Sequence, residues 1–567
     1  MKFYGGGFSR SSIRDIIYAM SIKTKTPTSK LKHFGYKILL VGFSCLLYNM
    51  AFPGFFAPDK AMSFYAFFAF IPFLVVVFDS GAVESVLWGV LFGGITDATV
   101  LRFYTIFPQS YIAVIMRGVI AFGFMAPLFR LAYKKKWKGA PFFCAALYTS
   151  YCWMMSSSMM FAMPLGLLPY ALYDITVLIQ ICNIVGIFGI AFLVMLPQYA
   201  VAVAIKEKTI LKENAFRNPI RNSLVVFAVL LAISLAYGIV SLNIWKNRTP
   251  EKELSVGVIQ MNTSFESEEY QSFEYIQRFT QEIEKLKKEN PDVITSAETV
   301  VPLPLQWFSD LDPDYFLKNG TSQELPDSWQ MDSYLSAKII ESSKGVKLFV
   351  SEPELGFEHG FDFESDNWQS KLLDFNSVVL LEDGAITGRY DKIHCAPFKE
   401  VKPFVGSFAI REKYRQKGVD FYMPGTERTV FDINGTKVST PLCFESYFPE
   451  LISEFDCDVY FNLGSEYYDK TGTGHLFSDM LAVFRAVESR RPFLRVYNSG
   501  LTNLISPWGQ ELERMEEMVR TSDVWKIPVY NCPKSVFAFC PSLLGILCSI
   551  YCVLRILFDL NKNRRKK

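Results

Sequence analysis

Histidine is scarce, with four in 567 residues, and the eleven cysteines form no Cys-x-x-Cys pair and no metal-ligand spacing with those histidines. A zinc or disulfide framework is therefore not expected, nor is any metal or cofactor. Charge of one sign is lacking too. Against 58 Lys and Arg stand 56 Asp and Glu, and a net charge of +2 offers no case for a nucleic-acid partner. There is no internal repeat and no low-complexity stretch long enough to act as a linker. A cleavable leader is not expected, because the polar N-terminal stretch is long and no small-residue cleavage site follows the first apolar run. What is abundant is apolar surface. Hydrophobic residues make up 50% of the chain and aromatics 16%, too apolar a balance for two ordinary soluble domains.

Apolar runs near the roughly 20 residues that cross a bilayer predict eight membrane helices, seven before the middle of the chain and one near its end: Tyr36–Gly54, Lys60–Asp79, Val83–Leu101, Ser110–Tyr133, Gly139–Met163, Thr176–Ile205, Asn222–Trp245 and Val536–Asp559. The third is the weakest, being short and carrying Asp97 near its end. Ionised groups inside a bilayer are expensive, so Asp97 and Arg117 read as paired within the bundle or near an interface, in preference to a headgroup contact on a substrate path. The aromatic run Phe64–Phe73 reads as helix packing and lipid contact.

Lys and Arg gather in cytoplasmic loops. Lys23, Lys25, Lys30 and Lys32 precede the first run, Lys134–Lys136 and Lys138 follow the fourth, Lys206 to Arg221 follow the sixth, and Arg564–Lys567 close the chain. All fall on one side if eight spans alternate. The expected organisation is a basic cytoplasmic segment (1–35), a membrane domain of seven helices (36–245), a polar domain on the opposite face (252–530), a final membrane helix (536–559) and a basic cytoplasmic tail (560–567).

The polar segment alternates short β-branched runs with helical patterns, which predicts an α/β layered domain. Strands are expected at Leu254–Gln260, Val293–Ala297, Val346–Ser351, Ser377–Glu382, Lys437–Leu442 and Val459–Leu463, and helices at Phe273–Glu289 and Ser478–Ser489. Ligands in such folds sit beyond the carboxyl ends of strands. Glu298 and Cys443 follow such ends, and Lys392 follows the hairpin region Leu381–Arg389. A thiol attacks a carbonyl as thiolate, so it needs a base, which Glu298 can be if burial raises its pKa; Lys392 can then stabilise thiolate and oxyanion. Taken singly, each has a blander reading: a buried structural thiol and two solvated charges. A Cys–His dyad through His394 is a competing arrangement, His475 reads as a structural residue opening a helix, and His359 and His33 carry no expected role.

Four ordered strings carry a resemblance. Ser296–Pro302 (SAETVVP), Gly388–Glu400 (GRYDKIHCAPFKE) and Pro441–Ser446 (PLCFES) resemble the three signatures of the nitrilase, or carbon–nitrogen hydrolase, superfamily. With membrane spans ahead and behind, and with Gly474–Gly500 resembling its helix and following strand, the chain is similar over nearly its full length to the apolipoprotein N-acyltransferase family. That resemblance implies an αββα sandwich beside a multi-spanning helical membrane domain. It implies Glu298 as general base, Lys392 as stabiliser of the tetrahedral intermediate and Cys443 as acylated nucleophile. The auxiliary glutamates fall on Glu400 and Glu445, the latter expected to position rather than transfer protons. Two departures bear on the substrate loops: PFKE (Pro397–Glu400) where the family commonly has PFGE, and Phe444 where a Tyr often follows the nucleophile. Tyr467 and Tyr468 occupy the segment where an aromatic at the substrate entrance is usual.

The activity implied is a ping-pong transfer of a fatty acyl chain from a phospholipid, phosphatidylethanolamine-like, through a Cys443 thioester to the N-terminal amine of a diacylglyceryl-cysteine on an apolipoprotein. The location implied is a bacterial cytoplasmic (inner) membrane, multi-pass, with the catalytic domain on the periplasmic side; a monomer surrounded by membrane lipids is expected. Water must be kept from such a thioester, which predicts an apolar rim and mobile loops above Cys443. Two rival functions use the same residues differently: a membrane-tethered amide or nitrile hydrolase with water as acceptor, and a non-enzymatic lipid or lipoprotein binder.

Overall fold

The computed structural model describes residues 27–54, 56, 61–157, 162–207, 217–263, 272–298, 300–301, 305, 336–357, 372–397, 399–402, 405, 407–419, 421–466 and 473–564. A helical bundle comes first, built from α1 (Pro27–Met50), α2 (Ile71–Phe78), α3 (Ala82–Val100), α4 (Pro108–Lys134), α5 (Ala140–Met155), α6 (Cys182–Glu207) and α7 (Arg217–Lys246).

Eight crossings are expected from hydropathy; among the described residues five helices are long and apolar enough to cross a membrane alone: α3, α4, α6, α7 and the closing helix. The expected span Lys60–Asp79 is broken. It forms a 3-10 turn, Ser63–Phe67, and then the eight-residue α2, which begins with Pro72 in its first turn and is buried from Pro72 to Phe78. An all-apolar run suits a helix wrapped by protein as well as one wrapped by lipid. The expected run Gly139–Met163 is helical only as far as Met155. The run Thr176–Ile205 is interrupted at Gly186, whose φ of 62° breaks the helix and whose missing Cβ makes room for the Phe537 ring.

Small residues set a close crossing in the bundle. A Cβ on Gly89 would lie 2.1 Å from the Phe122 carbonyl oxygen, and one on Gly93 2.1 Å from that of Gly118, so α3 and α4 meet backbone to backbone. One turn further along α3, Asp97 accepts from Arg117 Nε at 3.0 Å and lies 2.9 Å from its Nη2, the pairing anticipated for these two residues. The aromatic run behaves as packing: Phe73 stacks on Phe92 with centroids 4.3 Å apart. Tyr133 donates to Glu207 and Lys135 pairs with Asp559, so the carboxyl ends of α4, α6 and the closing helix gather at one end of the bundle.

The α/β domain holds two six-stranded sheets. The first has the order β12-β1-β2-β3-β4-β5, with β1 (Lys252–Gln260), β2 (Val293–Ser296), β3 (Lys347–Phe357), β4 (Leu372–Glu382), β5 (Ala385–Asp391) and β12 (Thr521–Val529). The second has the order β11-β10-β9-β8-β7-β6, with β6 (Phe431–Ile433), β7 (Thr436–Ser439), β8 (Val459–Gly464), β9 (Phe493–Tyr497), β10 (Asn503–Ile505) and β11 (Glu511–Arg514). Both sheets are parallel at the centre, β1-β2-β3 and β7-β8-β9, where both faces are covered and the strands read as continuous apolar runs. Their inner faces meet through Phe349, whose ring lies 5.0 Å from Phe431 and 5.9 Å from Phe461.

Helices cover the outer faces. In α8 (Phe273–Lys287) the buried residues Tyr275, Ile276, Phe279, Ile283 and Leu286 form one stripe at helical spacing, and Ser272 caps its start by accepting from Tyr275 N at 3.1 Å. A short α9 (Phe408–Arg415) follows β5, α10 (Gly474–Ser489) packs on the second sheet, and α11 (Leu543–Arg564) leads back along the bundle.

The six strands and two helices expected from the sequence are all present with shifted ends. The largest shift is at β3, which runs to Phe357, six residues past the expected Ser351; β7 ends at Ser439, before the expected Leu442, and beyond it a single bridge from Leu442 to Leu463 carries the chain into a tight turn.

Candidate active site

The turn after β7 presents Cys443 with φ of 45°, a left-handed conformation that costs energy for a non-glycine residue and must be held by its surroundings. Three groups hold it. Asn462, on β8, donates to the Pro441 carbonyl at 2.9 Å and to that of Cys443 at 3.4 Å, and is oriented by the Tyr497 hydroxyl at 2.9 Å. Ser446 Oγ donates to the Cys443 carbonyl at 2.9 Å. Glu445, fully buried, accepts from Leu442 N at 2.7 Å, Ile393 N at 2.7 Å, His394 N at 3.0 Å and the Tyr390 hydroxyl at 2.8 Å. Its carboxylate therefore ties the Cys443 turn to the loop carrying Lys392. Burial raises its pKa against the opposing backbone donors.

Lys392, Glu298 and Glu400 form one buried cluster. The Lys392 Nζ, wholly shielded, lies 2.8 Å from Glu298 Oε1 and 2.8 Å from Glu400 Oε1. Asn376, on β4, donates to the same two oxygens at 2.9 and 3.3 Å, and Ala396 N donates to Glu400 Oε2 at 2.7 Å. Burial opposes the ammonium, but the two carboxylates outweigh it and hold Lys392 well above its ordinary value. Burial likewise opposes ionised Glu400, and Lys392 outweighs it, keeping that carboxyl below its usual range. At Cys443 the balance runs the other way: burial and then the Glu298 charge push the thiol up, only partly offset by Lys392. The resting thiol is therefore protonated near neutrality.

His394 is not part of this arrangement. Its ring stands edge-on to Phe448 at 4.7 Å, and burial lowers its pKa to about 4, a weak base near neutrality. His475 lies 2.9 Å from Glu517, a structural partner as anticipated. Tyr467, Tyr468 and His359 lie outside the described residues.

Cys443 and Glu400 line a small cavity of about 50 Å³ with Tyr104, Phe107, Met163, Phe444 and Tyr447 among its walls, an apolar rim of the kind anticipated. Lys399, the departure from glycine, stands exposed at this cavity with Nζ 5.5 Å from the Phe107 ring centroid. Ser110, Met163 and Pro397 also line a second space, a groove of about 520 Å³ between α4 and α5. Its walls are almost wholly apolar, and Met116, Ile120, Phe124 and Met154 along it are exposed on the outer surface of the bundle. Arg117, while paired with Asp97, also faces this groove.

Asn376, which positions the site, escaped the sequence reading, whereas Arg485 lies in the string Gly474–Gly500 that carries the resemblance and was given no role there. Asn376 sits one residue before the expected strand Ser377–Glu382; a lone amide entering an apolar run is the signal that marks it. Arg485, in α10, donates to the Tyr447 carbonyl at 3.4 Å and pairs with Glu488 at 2.8 Å, while Glu488 accepts from Ile187 N of α6 at 2.8 Å. That chain of contacts fixes the Cys443 turn against the helical bundle.

Residues 44–200 match the sequence profile of the apolipoprotein N-acyltransferase N-terminal domain, and residues 256–521 match that of carbon–nitrogen hydrolase. Apolipoprotein N-acyltransferase 1 of Treponema denticola is 22% identical over 548 residues, covering 94% of this chain and 97% of its own. The apolipoprotein N-acyltransferase of Thermotoga maritima is 31% identical over 225 residues, 38% of this chain and 42% of its own. Among solved structures, Nit3 of Saccharomyces cerevisiae, from branch 10 of the nitrilase superfamily, aligns with a TM-score of 0.33 at 17% identity, over 52% of this chain and 96% of that one. Helical bundle, carbon–nitrogen hydrolase domain and the two profile matches together place this membrane protein in the apolipoprotein N-acyltransferase family, as an acyltransferase.

Proposed function

We propose that the protein moves a fatty acyl chain from a membrane phospholipid to Cys443, as a thioester, and then to the N-terminal amine of a diacylglyceryl-cysteine on an apolipoprotein. The observation that carries this reading is the junction at Ser110, Met163 and Pro397, where the groove between α4 and α5 reaches the cavity holding Cys443. An acyl chain lying in an apolar groove that is exposed on the outer surface of the bundle stays out of water while its ester carbonyl reaches the thiol.

In the first half-reaction Glu298 takes the Cys443 proton, and sulfur bonds to the ester carbonyl carbon. Lys392 and the backbone N–H that follows Cys443 stabilise the oxyanion. As the carbonyl re-forms, the C–O bond breaks and Glu298 returns the proton to the departing lysophospholipid oxygen. In the second half, the acceptor amine attacks the thioester, Glu298 takes the ammonium proton produced, and the thiolate leaves and is reprotonated. Glu400 keeps Lys392 charged and aimed, Glu445 shapes the nucleophile turn, and Phe444 closes the rim against water. Tyr467 and Tyr468 are assigned to the substrate entrance by resemblance. The α/β domain is proposed to face the periplasm of a bacterial inner membrane, with the protein acting as a monomer and phosphatidylethanolamine-like lipid as donor.

The test is a two-stage labelling of the purified full chain. Phospholipid with a labelled acyl chain is supplied first, and a diacylglyceryl-cysteine peptide after the donor is removed. Label on the peptide amine is expected. Release as free fatty acid, with none on the peptide, would make the protein a hydrolase instead.

A further inference from the structure

A third cavity, of about 310 Å³, opens where α7 runs into β1 and where the chain leaves β12 for α11. Arg248, Arg490 and Lys534 line it, and no Asp or Glu does among its described lining residues. Arg490 is 4% exposed, and among the described residues no carboxylate pairs with it. Its guanidinium instead donates to neutral acceptors, Gln180 Oε1 at 2.6 Å, Gln180 O at 3.0 Å, Ser241 Oγ at 3.0 Å and Pro507 O at 3.2 Å. Arg248 lies 5.1 Å from the Trp245 ring centroid and donates to Asn531 O. Lys534 is 3.9 Å from Asp456, whose carboxylate is 68% exposed and also serves Lys437 at 3.2 Å. A buried cation without a counter-charge is costly, so a site of this kind suits an anion.

Its depth narrows the class of anion. The wall of the cavity is the last turns of α7, a helix apolar enough to cross a membrane, and Trp245 packs there with Trp508 and Tyr530 as aromatics gather at a bilayer–water boundary. Immediately beside the cations, Val240, Ile244 and Val536 are 58%, 57% and 62% exposed, an apolar strip with no protein over it among the described residues. Cations at the boundary above an exposed apolar strip match a phosphate joined to acyl chains.

We propose that this cavity binds the headgroup of an anionic phospholipid, with the phosphodiester against Arg490, Arg248 and Lys534 and the acyl chains along α7. The lipid is distinct from the acyl donor, which reaches Cys443 through the groove between α4 and α5. It joins α7 to the α/β domain at the point where the chain passes between them, so its binding resists their separation. The Ser241 hydroxyl and the Tyr237 hydroxyl, which donates to Asn183 at 2.9 Å, supply neutral polar contacts at the inner end.

The test uses the full chain carrying Cys443→Ala, so that no acyl transfer contributes and failure of the acyl-transfer reading leaves the result untouched. Detergent-solubilised protein is titrated with phosphatidylglycerol, phosphatidylcholine or inorganic phosphate, and lipid retention is read by native mass spectrometry beside the melting temperature. Phosphatidylglycerol is expected to be retained and to raise the melting temperature, with phosphatidylcholine binding at least tenfold more weakly. The exposed-rim variant Arg248→Ala/Lys534→Ala is expected to weaken phosphatidylglycerol binding about tenfold. Equal binding of both lipids, or unchanged binding in the rim variant, would overturn the site. An equal melting shift with inorganic phosphate would overturn its assignment to lipid. If the double variant does not fold, Tyr237→Phe serves as the second probe, with weaker retention expected and unchanged retention contradicting the proposal.

Discussion

The Nζ of Lys392 lies 2.8 Å from Glu298 Oε1, so the proposed base and the proposed oxyanion stabiliser hold each other before substrate arrives. This contact keeps the ammonium charged inside a desolvated pocket. It also means that Glu298 must loosen from Lys392, or share it, when it accepts the thiol proton.

Lys392→Met removes the positive charge and leaves Glu298 and Glu400 facing each other in a buried site. Breaking a buried pair in this way costs about 3–5 kcal/mol of stability, and losing an oxyanion donor costs about 10²–10³-fold in rate. A quench-flow measurement of acyl-enzyme formation should show that slowing. Normal thioester accumulation in the variant would argue against the role given to Lys392.

Asn376 is expected to matter nearly as much as the residues it serves. Asn376→Ala strips one donor from each carboxylate and should lower stability by about 1–3 kcal/mol, read as a fall in melting temperature in detergent. Acylation should slow about tenfold, because Glu298 and Glu400 lose the group that keeps them apart. A variant as stable and as fast as the parent would show that the amide contributes nothing to the site.

The pH dependence follows from two raised values. Cys443 and Lys392 both titrate above their ordinary values of 9.0 and 10.5, so their contributions to stability are fully present below those values and are lost as pH rises through the higher folded ones. Alkylation of resting Cys443 by iodoacetamide should therefore climb steadily with pH through 9 without levelling. A plateau below pH 8 would mean a preformed thiolate, contrary to the site's electrostatics.

Filling the groove tests substrate access apart from chemistry. Ala113, on α4, lines the apolar space between α4 and α5, and Ala113→Phe should slow acylation by phospholipid at least tenfold while iodoacetamide still reaches Cys443 at the parent rate. Equal slowing of both would point to damage at the thiol, and no slowing of either would remove the groove from the donor's path.

Much of this site was legible in the sequence because its chemistry is tied to strand ends. Glu298 and Cys443 each follow a short apolar run that closes into a parallel ladder, and Glu445 is where a carboxylate three residues after Leu442 can fold back on its amide. What was illegible depends on contacts between distant segments. Asn376 looks like any strand-edge amide until Glu298, 78 residues away, is placed against it. Hydropathy reports apolarity and not the wrapping medium, so the run holding α2 reads as a crossing although protein encloses it. Gly186 shows its role only when Phe537 is known to fill the space beside it. The strands β6, β10 and β11, three or four residues each, lie below the length at which alternation can be recognised.

The central claim is that Cys443 carries the acyl group, and mass spectrometry of the full chain purified from membranes tests it most directly. The peptide containing Cys443 should bear a fatty-acyl mass that hydroxylamine removes and that Cys443→Ala abolishes without loss of the folded protein. An unmodified Cys443 peptide in protein that still transfers acyl chains, or an active Cys443→Ala variant, would contradict the account.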